Sequence, residues 1–321
     1  MRMTNATQGE PEISVVVPVH CEAEVLPAAL QSITDVLRDA AVTYEIVVVD
    51  DGSSDGTWQA IGDFAGRAPA LRAIRLSRRF GKEAALRAGL ETARGRAAIT
   101  MDGDLQHPPE MIPAMISAWR DGADIVEAVK EDRSSGGAVD SWRARLFYAL
   151  LRRLSGHDLD GASDFKLLDE RVLRAYLSLG ERNIFFRGMI AWLGFNSVRL
   201  PFSVPPRAAG QSSWTFVGLV RLAVTAVTSF SSVPLQFVTV LGVCLLTFSF
   251  AMGVQTLYRK LSGSALDGFT TVILLLLIIG STLMVALGII GEYIARIYEE
   301  VKGRPRYLIG ETIDGNDREP T

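Results

Sequence analysis

Between residues 13 and 130 the chain alternates short β-branched runs with segments of helical period. Ile13 to Val19 (ISVVVPV) reads as a buried parallel strand, and a helix follows from about Glu22 to Leu37. Tyr44 to Val49 is a second strand that closes on Asp50 and Asp51, and the segment Asp50 to Thr57 opens a further helix. A third run, Leu71 to Leu76, precedes a helix from Lys82 to Ala93. Ala97 to Met101 is a fourth strand ending at Asp102, with a helix from Pro109 to Arg120, and Ala123 to Val129 is a fifth. Strands alternating with helices predict an α/β fold, with a mostly parallel sheet covered on both faces. Ligands of such sheets bind beyond the carboxyl ends of the strands, which directs attention to the acids at those ends.

The pattern then changes. Asp132 to Gly137 is a polar, Gly-rich loop, and Trp142 to Leu154 is a basic amphipathic helix that suits either a membrane surface or an ordinary protein surface. Phe216 to Phe230 predicts an apolar interfacial helix whose only charge is Arg221. No Asp, Glu, Lys or Arg occurs from Leu222 to Tyr258 or from Gly268 to Gly291. A bilayer-spanning helix needs roughly 20 apolar residues. Pro234 trims the first stretch to a span of about Leu235 to Leu257, and the second runs from about Phe269 to Ile290. The run Thr271 to Ile279 offers no polar face, which argues against a soluble amphipathic helix. The organisation expected is a polar tail over 1–12, a catalytic domain over 13–212, a juxtamembrane helix over 213–232, two spans over 233–295 and a cytoplasmic tail over 296–321.

Charge sets the orientation. The loop between the spans carries Arg259 and Lys260, whereas the other flanks carry Arg207, Arg221, Arg296, Lys302, Arg304 and Arg306. The excess places both termini in the cytoplasm of a multi-pass inner-membrane protein. The first twelve residues are polar, so no secretory signal is expected. A net charge of -3 gives no footprint for nucleic acid. Cys21 and Cys244 belong to no C-x-x-C ligand set, and one of them lies within a span, so neither a disulfide framework nor a zinc site is indicated.

The sharpest chemical signal is Met101-Asp-Gly-Asp-Leu-Gln106. Carboxylates at i and i+2 can face one crevice through the turn that Gly103 permits, and a hard divalent cation resolves their mutual repulsion. The loop Asp50-Asp-Gly-Ser-Ser-Asp-Gly-Thr57 supplies helix caps at Ser54, Asp55 or Thr57, and an acid that could hydrogen-bond a base or ribose. It is not Gly-x-Gly-x-x-Gly, and no Walker Lys-Ser/Thr occurs, so neither a dehydrogenase nor an ATPase is supported.

Val16-Val-Pro-Val-His-Cys-Glu22, the Asp50–Thr57 loop, Phe80-Gly-Lys-Glu-Ala-Ala-Leu-Arg-Ala-Gly89 and Asp102-Gly-Asp-Leu-Gln-His-Pro-Pro109 together resemble inverting glycosyltransferases of family 2. Ser163-Asp-Phe-Lys-Leu-Leu168, Arg187-Gly-Met-Ile-Ala-Trp192 and Pro206-Arg-Ala-Ala-Gly-Gln-Ser212, followed by two spans, are similar to the polyprenyl-phosphate type, above all bactoprenol glucosyltransferases. The resemblance implies a glycosyltransferase A-type domain that moves a hexose from a nucleotide-diphosphate sugar to polyprenyl phosphate. UDP-glucose is the first donor expected, ahead of UDP-linked amino sugars, UDP-galactose and GDP-mannose. It implies that Pro18 and Glu22 line the nucleotide pocket, that Asp51 holds the base or ribose, and that Asp102, Asp104 and Gln106, with Gly103 in the turn, form a Mg2+ or Mn2+ and diphosphate site. Lys130 stands where a basic residue contacts the donor, and Arg207 is implied in phosphate or acceptor binding.

The chain departs from the family pattern at Ser213, where a lysine is usual, and Lys166 or Arg221 would have to compensate. His107 replaces a frequent acid or amide, and His20 and His157 read as structural. Asp164 stands where close relatives place a catalytic base. A phosphate monoester has a second pKa of ~6, however, so the acceptor needs little deprotonation, and orienting the acceptor, stabilising positive charge that develops on the sugar, or capping a helix are the other roles open to Asp164. The partners expected are the donor, the lipid acceptor and the bilayer, with a homo-oligomer open. A processive polysaccharide synthase would need more spans and a Gln-x-x-Arg-Trp motif that the sequence lacks. A non-catalytic membrane scaffold is the remaining alternative.

Overall fold

The computed structural model describes residues 10–104, 106–130, 163–181, 186–202, 233–262 and 269–315. Arg207, Ser213, Arg221, His157, the loop at 132–137 and the helices expected over 142–154 and 216–230 lie outside the described residues, as does the side chain of Lys130. The described chain divides into two compact units, one holding the residues up to 202 together with 304–315, the other residues 233–262 and 269–303.

In the first unit, β1 (Ile13–Val19), β2 (Tyr44–Asp50), β3 (Leu71–Leu76), β4 (Ala97–Thr100) and β5 (Ile125–Lys130) alternate with α1 (Leu26–Asp39), α2 (Thr57–Ala65), α3 (Lys82–Thr92) and α4 (Ile112–Arg120). A 3-10 turn at Pro109–Met111 leads into α4. Then come β6 (Lys166–Asp169), α5 (Glu170–Ser178), α6 (Phe186–Trp192), β7 (Ser197–Phe202) and, from the end of the chain, β8 (Ile309–Asp314). The strands form one sheet in the order β7-β5-β6-β4-β1-β2-β3-β8. Pairings β1–β2, β1–β4, β2–β3 and β5–β7 are parallel, while β6 runs antiparallel to β4 and β5, and β8 antiparallel to β3.

Every residue of β1 is buried, as a central strand covered on both faces requires. Ile13, Val15, Val17 and Val19 join Leu26, Leu30 and Ile33 of α1 and Met115 and Trp119 of α4 in the main core. On the opposite face α3 lies so close that a Cβ on Gly89 would stand 2.3 Å from Val16 Cγ1, so this helix packs there only with glycine. Helix α1 begins at Leu26 rather than Glu22 because the Glu22 carbonyl takes the Val25 and Leu26 amides in a turn, after Cys21 adopts φ 55. The fifth strand likewise starts two residues late, at Ile125.

In the second unit α7 (Val233–Leu261) accommodates Pro234 in its first turn, where a missing N–H costs nothing. Helix α8 (Phe269–Val301) runs on past Ile290 through Glu292 and Arg296. Among the described residues one segment, Ile278–Val301, is long and apolar enough to cross a membrane, 24 residues with mean hydropathy 1.8 and no part of it buried. In α7 the apolar stretch is the shorter Val240–Gln255. Side chains such as Phe250, Leu276, Met284 and Leu287 are exposed, an apolar face that water does not favour.

Candidate active site

Strand order reverses between β1 and β4, since β1 leads to β2 on one side while β4 lies on the other. Crevices open at such switch points, beyond the carboxyl ends of the strands. Here those ends deliver Glu22 after β1, Asp50 and Asp51 at the end of β2, and Asp102 and Asp104 after β4. A Cβ on Gly103 would meet Glu22 Oε2 at 2.7 Å and Val19 Cγ1 at 2.8 Å, so the acidic turn fits against β1 only because residue 103 lacks a side chain. Glu22 Oε2 is buried without a hydrogen-bond partner. Burial, with the charges of Asp104 and Asp102, pushes its pKa up to about 7.

The Lys82 ammonium, at the start of α3, lies 2.6 Å from Asp102 Oδ1 and 2.7 Å from Asp164 Oδ2. Burial opposes its charge, but the two carboxylates outweigh burial and raise its pKa. Asp164 is also held by Arg187 of α6, Nε to Oδ1 at 2.7 Å and Nη2 to Oδ2 at 2.9 Å. Burial would raise the Asp164 pKa, yet Arg187 and Lys82 override it and hold the carboxyl well below its usual range. Glu83 beside Lys82 accepts the Phe186 amide at 3.1 Å, and burial together with the Asp164 charge pushes its pKa up to about 7.

The structure brings Asp102, Asp104, Asp164 and Glu22 to one end of the sheet, together with two cations that the sequence does not single out. In the sequence Lys82 and Arg187 stand only within the Phe80–Gly89 and Arg187–Trp192 motifs; nothing in local sequence distinguishes a lysine that turns inward from one that turns out. Asp104 Oδ1 accepts the Gln106 amide at 3.1 Å. Asp51 is 3 % exposed, and its oxygens accept the amides of Phe80 at 2.7 Å and Gly81 at 2.8 Å, so any contact with a base or ribose would use its remaining lone pairs. Pro18 is buried in β1 opposite Val49. Asp164 caps no helix; Asp169 is the residue that caps α5, taking the Arg171 amide at 3.0 Å.

Two of the histidines are structural in effect. His107 Nδ1 accepts the Asp102 amide at 2.9 Å, its ring stacks on Phe165 at 5.1 Å, and Nε2 is 3.2 Å from Ser163 Oγ, which fixes the turn. His20 Nδ1 lies 3.1 Å from the Asp51 carbonyl. Lys166 does not stand in for the lysine missing at residue 213. It is fully buried in β6 with its ammonium on Glu127, because a strand residue on the inner face has no route to solvent.

The acids suit a hard cation in one particular way. Among the described residues no three His, Cys, Asp or Glu side chains converge as a complete ligand set. Asp102 and Asp104 can anchor a cation only if diphosphate and water oxygens complete its shell, the mode in which Mg2+ is commonly bound.

The family model "Glycosyl transferase family 2" matches residues 14–177. The bactoprenol glucosyl transferase derived from prophage SfII of Shigella flexneri is 36% identical over 307 residues, covering 95% of this chain and 99% of its own. A Synechocystis glycosyltransferase, sll0501, is 35% identical over 302 residues, 94% of this chain and 95% of its own. Mannosyl-3-phosphoglycerate synthase from Rubrobacter xylanophilus superposes with a TM-score of 0.48 at 18% identity, over 68% of this chain and 72% of its own. Family model and full-length relatives agree: this chain belongs to glycosyl transferase family 2 and resembles the bactoprenol glucosyl transferases over most of its length.

Proposed function

We propose that the protein transfers a hexose from a nucleotide-diphosphate sugar, first of all UDP-glucose, to undecaprenyl phosphate, with inversion and with a divalent cation. The observation that carries this reading is the convergence, at one end of the sheet, of the Asp102–Asp104 turn with the paired cations Lys82 and Arg187. That arrangement suits two phosphates at once, the leaving diphosphate and the attacking monoester. The relatives named bactoprenol glucosyl transferases support the lipid acceptor.

Asp102 and Asp104 would hold the cation, Mg2+ or Mn2+. Bound there, it would act as a Lewis acid, offsetting charge on the departing diphosphate. Gln106 orders the turn through its amide on Asp104. Lys82 can exchange a carboxylate for a phosphate oxygen, because both present the same charge-assisted acceptor. Asp164, kept ionised by its neighbours, is poorly suited to take a proton, and the acceptor is largely a dianion at neutral pH. Its role in this reading is to aim Lys82 and Arg187, so that the monoester oxygen attacks in line, opposite the leaving group. Arg207, Ser213 and Lys130 complete the acceptor and donor contacts as proposals from the family pattern.

Two membrane crossings fit the chain path. Residues up to 202 and residues 304–315 belong to one folded unit, which supports an even number of crossings between them. With α7 and α8 as the pair, the catalytic unit lies on the cytoplasmic side of the inner membrane, where the nucleotide sugars are.

Purified full-length protein in lipid nanodiscs, offered undecaprenyl phosphate and a panel of labelled UDP- and GDP-sugars, tests the reading. One donor should yield a lipid-linked monosaccharide, lost on chelation and restored by Mg2+ or Mn2+. Product chains longer than one sugar, or no transfer from any donor, would overturn it.

A further inference from the structure

The last strand of the chain reaches the donor loop. In β8, Glu311 stands directly opposite Arg75 of β3 in the antiparallel register. Its Oε1 accepts Arg75 Nη1 at 2.8 Å and its Oε2 accepts Trp58 Nε1 at 2.9 Å, which occupies both oxygens. The Arg75 guanidinium also lies 5.9 Å from the Trp58 ring centroid, within cation–π reach. Its remaining nitrogens point to the turn after β2. Nη2 donates to the Ser53 carbonyl at 3.1 Å, and Nε is 3.4 Å from Asp50 Oδ2.

That second contact has weight because Asp50 is fully buried and its Oδ2 makes no hydrogen bond. A carboxylate out of water needs a counter-charge, and Arg75 supplies it. Asp50 Oδ1 meanwhile takes the Ser53 amide at 2.9 Å and the Ser53 hydroxyl at 2.5 Å, closing the turn that carries Asp51. Each link is polar, and β8 itself is mostly exposed, so the strand contributes little to the core. Ile313 packs against the core and Asp314 meets Arg72, so Glu311 is the side chain of β8 that reaches toward the loop, through Arg75.

We propose that β8 is a positioning clamp for the donor, in which Glu311 orients Arg75 and Arg75 holds the Asp50–Ser53 turn in the shape that receives the nucleoside. The inference rests on the donor site proposed above. It makes residues that follow the membrane helices a determinant of donor affinity, although they touch no substrate.

The test uses full-length protein in nanodiscs and titrates UDP and GDP by calorimetry with Mn2+ present. In Glu311→Ala the dissociation constant of the nucleotide that binds should rise roughly three- to thirtyfold, the range for losing a charge-assisted hydrogen bond that orders a loop. The acceptor KM and the unfolding temperature should stay close to wild type. Asp314→Ala is the control, since Asp314 pairs with Arg72 at the other end of the same strand, Nε to Oδ2 at 3.6 Å. It should leave nucleotide binding unchanged. An unaltered constant in Glu311→Ala, with wild type binding normally, overturns the clamp alone. Equal losses in Glu311→Ala and Asp314→Ala, or parallel losses in donor and acceptor constants, also overturn it by showing a general effect of the strand. Failure of wild type to bind either nucleotide removes the donor reading and the clamp with it.

Discussion

Arg187 grips Asp164 with two parallel hydrogen bonds, Nε to Oδ1 at 2.7 Å and Nη2 to Oδ2 at 2.9 Å. This fork geometry is the strongest form of the arginine–carboxylate pair, and lysine does not reproduce it. It turns the residue that family resemblance offers as a base into a fixed anion between two cations.

Asp164→Asn should therefore act on binding and stability before it acts on proton transfer. Lys82 and Arg187 would lose a shared counter-charge, costing about 2 kcal/mol, less than a fully buried pair because Arg187 is part exposed. The acceptor KM should rise, and kcat should keep a flat pH profile above neutrality. A kcat that falls tenfold per pH unit on the acid side in wild type, and loses that limb in Asp164→Asn, would restore the base assignment.

Asp104→Asn should reduce transfer by at least about a hundredfold, the scale of losing one charge-stabilising group. Its unfolding temperature should hardly change, since the carboxylate accepts only the Gln106 amide of its own turn in the contacts described. Electron paramagnetic resonance of Mn2+ with UDP provides a readout apart from turnover. Tight Mn2+ binding that persists in the variant would remove the cation site from this turn.

Glu83 should impose a pH dependence on stability. Its folded pKa, about 7, lies above the ordinary 4.5, so the folded state holds a proton that the unfolded state releases. Its contribution is present in full below pH 4.5 and fades as pH rises to about 7. Glu83→Gln, which can still accept the Phe186 amide, should flatten the thermal-unfolding curve across that window. Asp164 acts in the opposite sense, because its lowered pKa makes its contribution fade only as pH falls below the ordinary 3.8. The two windows do not overlap.

Lys166→Met should cost roughly 3 kcal/mol by leaving Glu127 without its buried partner. The double variant Lys166→Met with Glu127→Leu should recover much of the loss, and denaturant unfolding of the two measures the difference. Because Arg199 also lies 3.5 Å from Glu127, recovery should be incomplete. An activity loss with no change in stability would instead return Lys166 to the phosphate site.

Local pattern determined a great deal here. Ile13–Val19 begins and ends where its apolar run does, because a strand buried on both faces is nearly all apolar, and Leu71–Leu76 is bounded by buried leucines with Arg72 and Arg75 half-buried between them. The acids at Asp51, Asp102 and Asp104 could be placed at strand ends for the same reason, and absence of charge from 222 to 258 and from 268 to 291 marked the apolar helices. These are properties of residues near one another in the chain, and periodicity reports them directly.

Partners across the fold were another matter. Whether β6 and β8 run antiparallel depends on which edge they meet, and no pattern within Lys166–Asp169 or Ile309–Asp314 encodes that edge. Lys82 and Asp164 are 82 residues apart, and Arg75 and Glu311 are 236 apart. A long cationic side chain pairs with whatever carboxylate the backbone brings within its reach, and only the closed sheet sets that neighbour. The sequence by itself determined the first five strands, the acidic turns and the family; tertiary structure alone decided the three later strands and which cations answer those acids, since pairing acts through space and not along the chain.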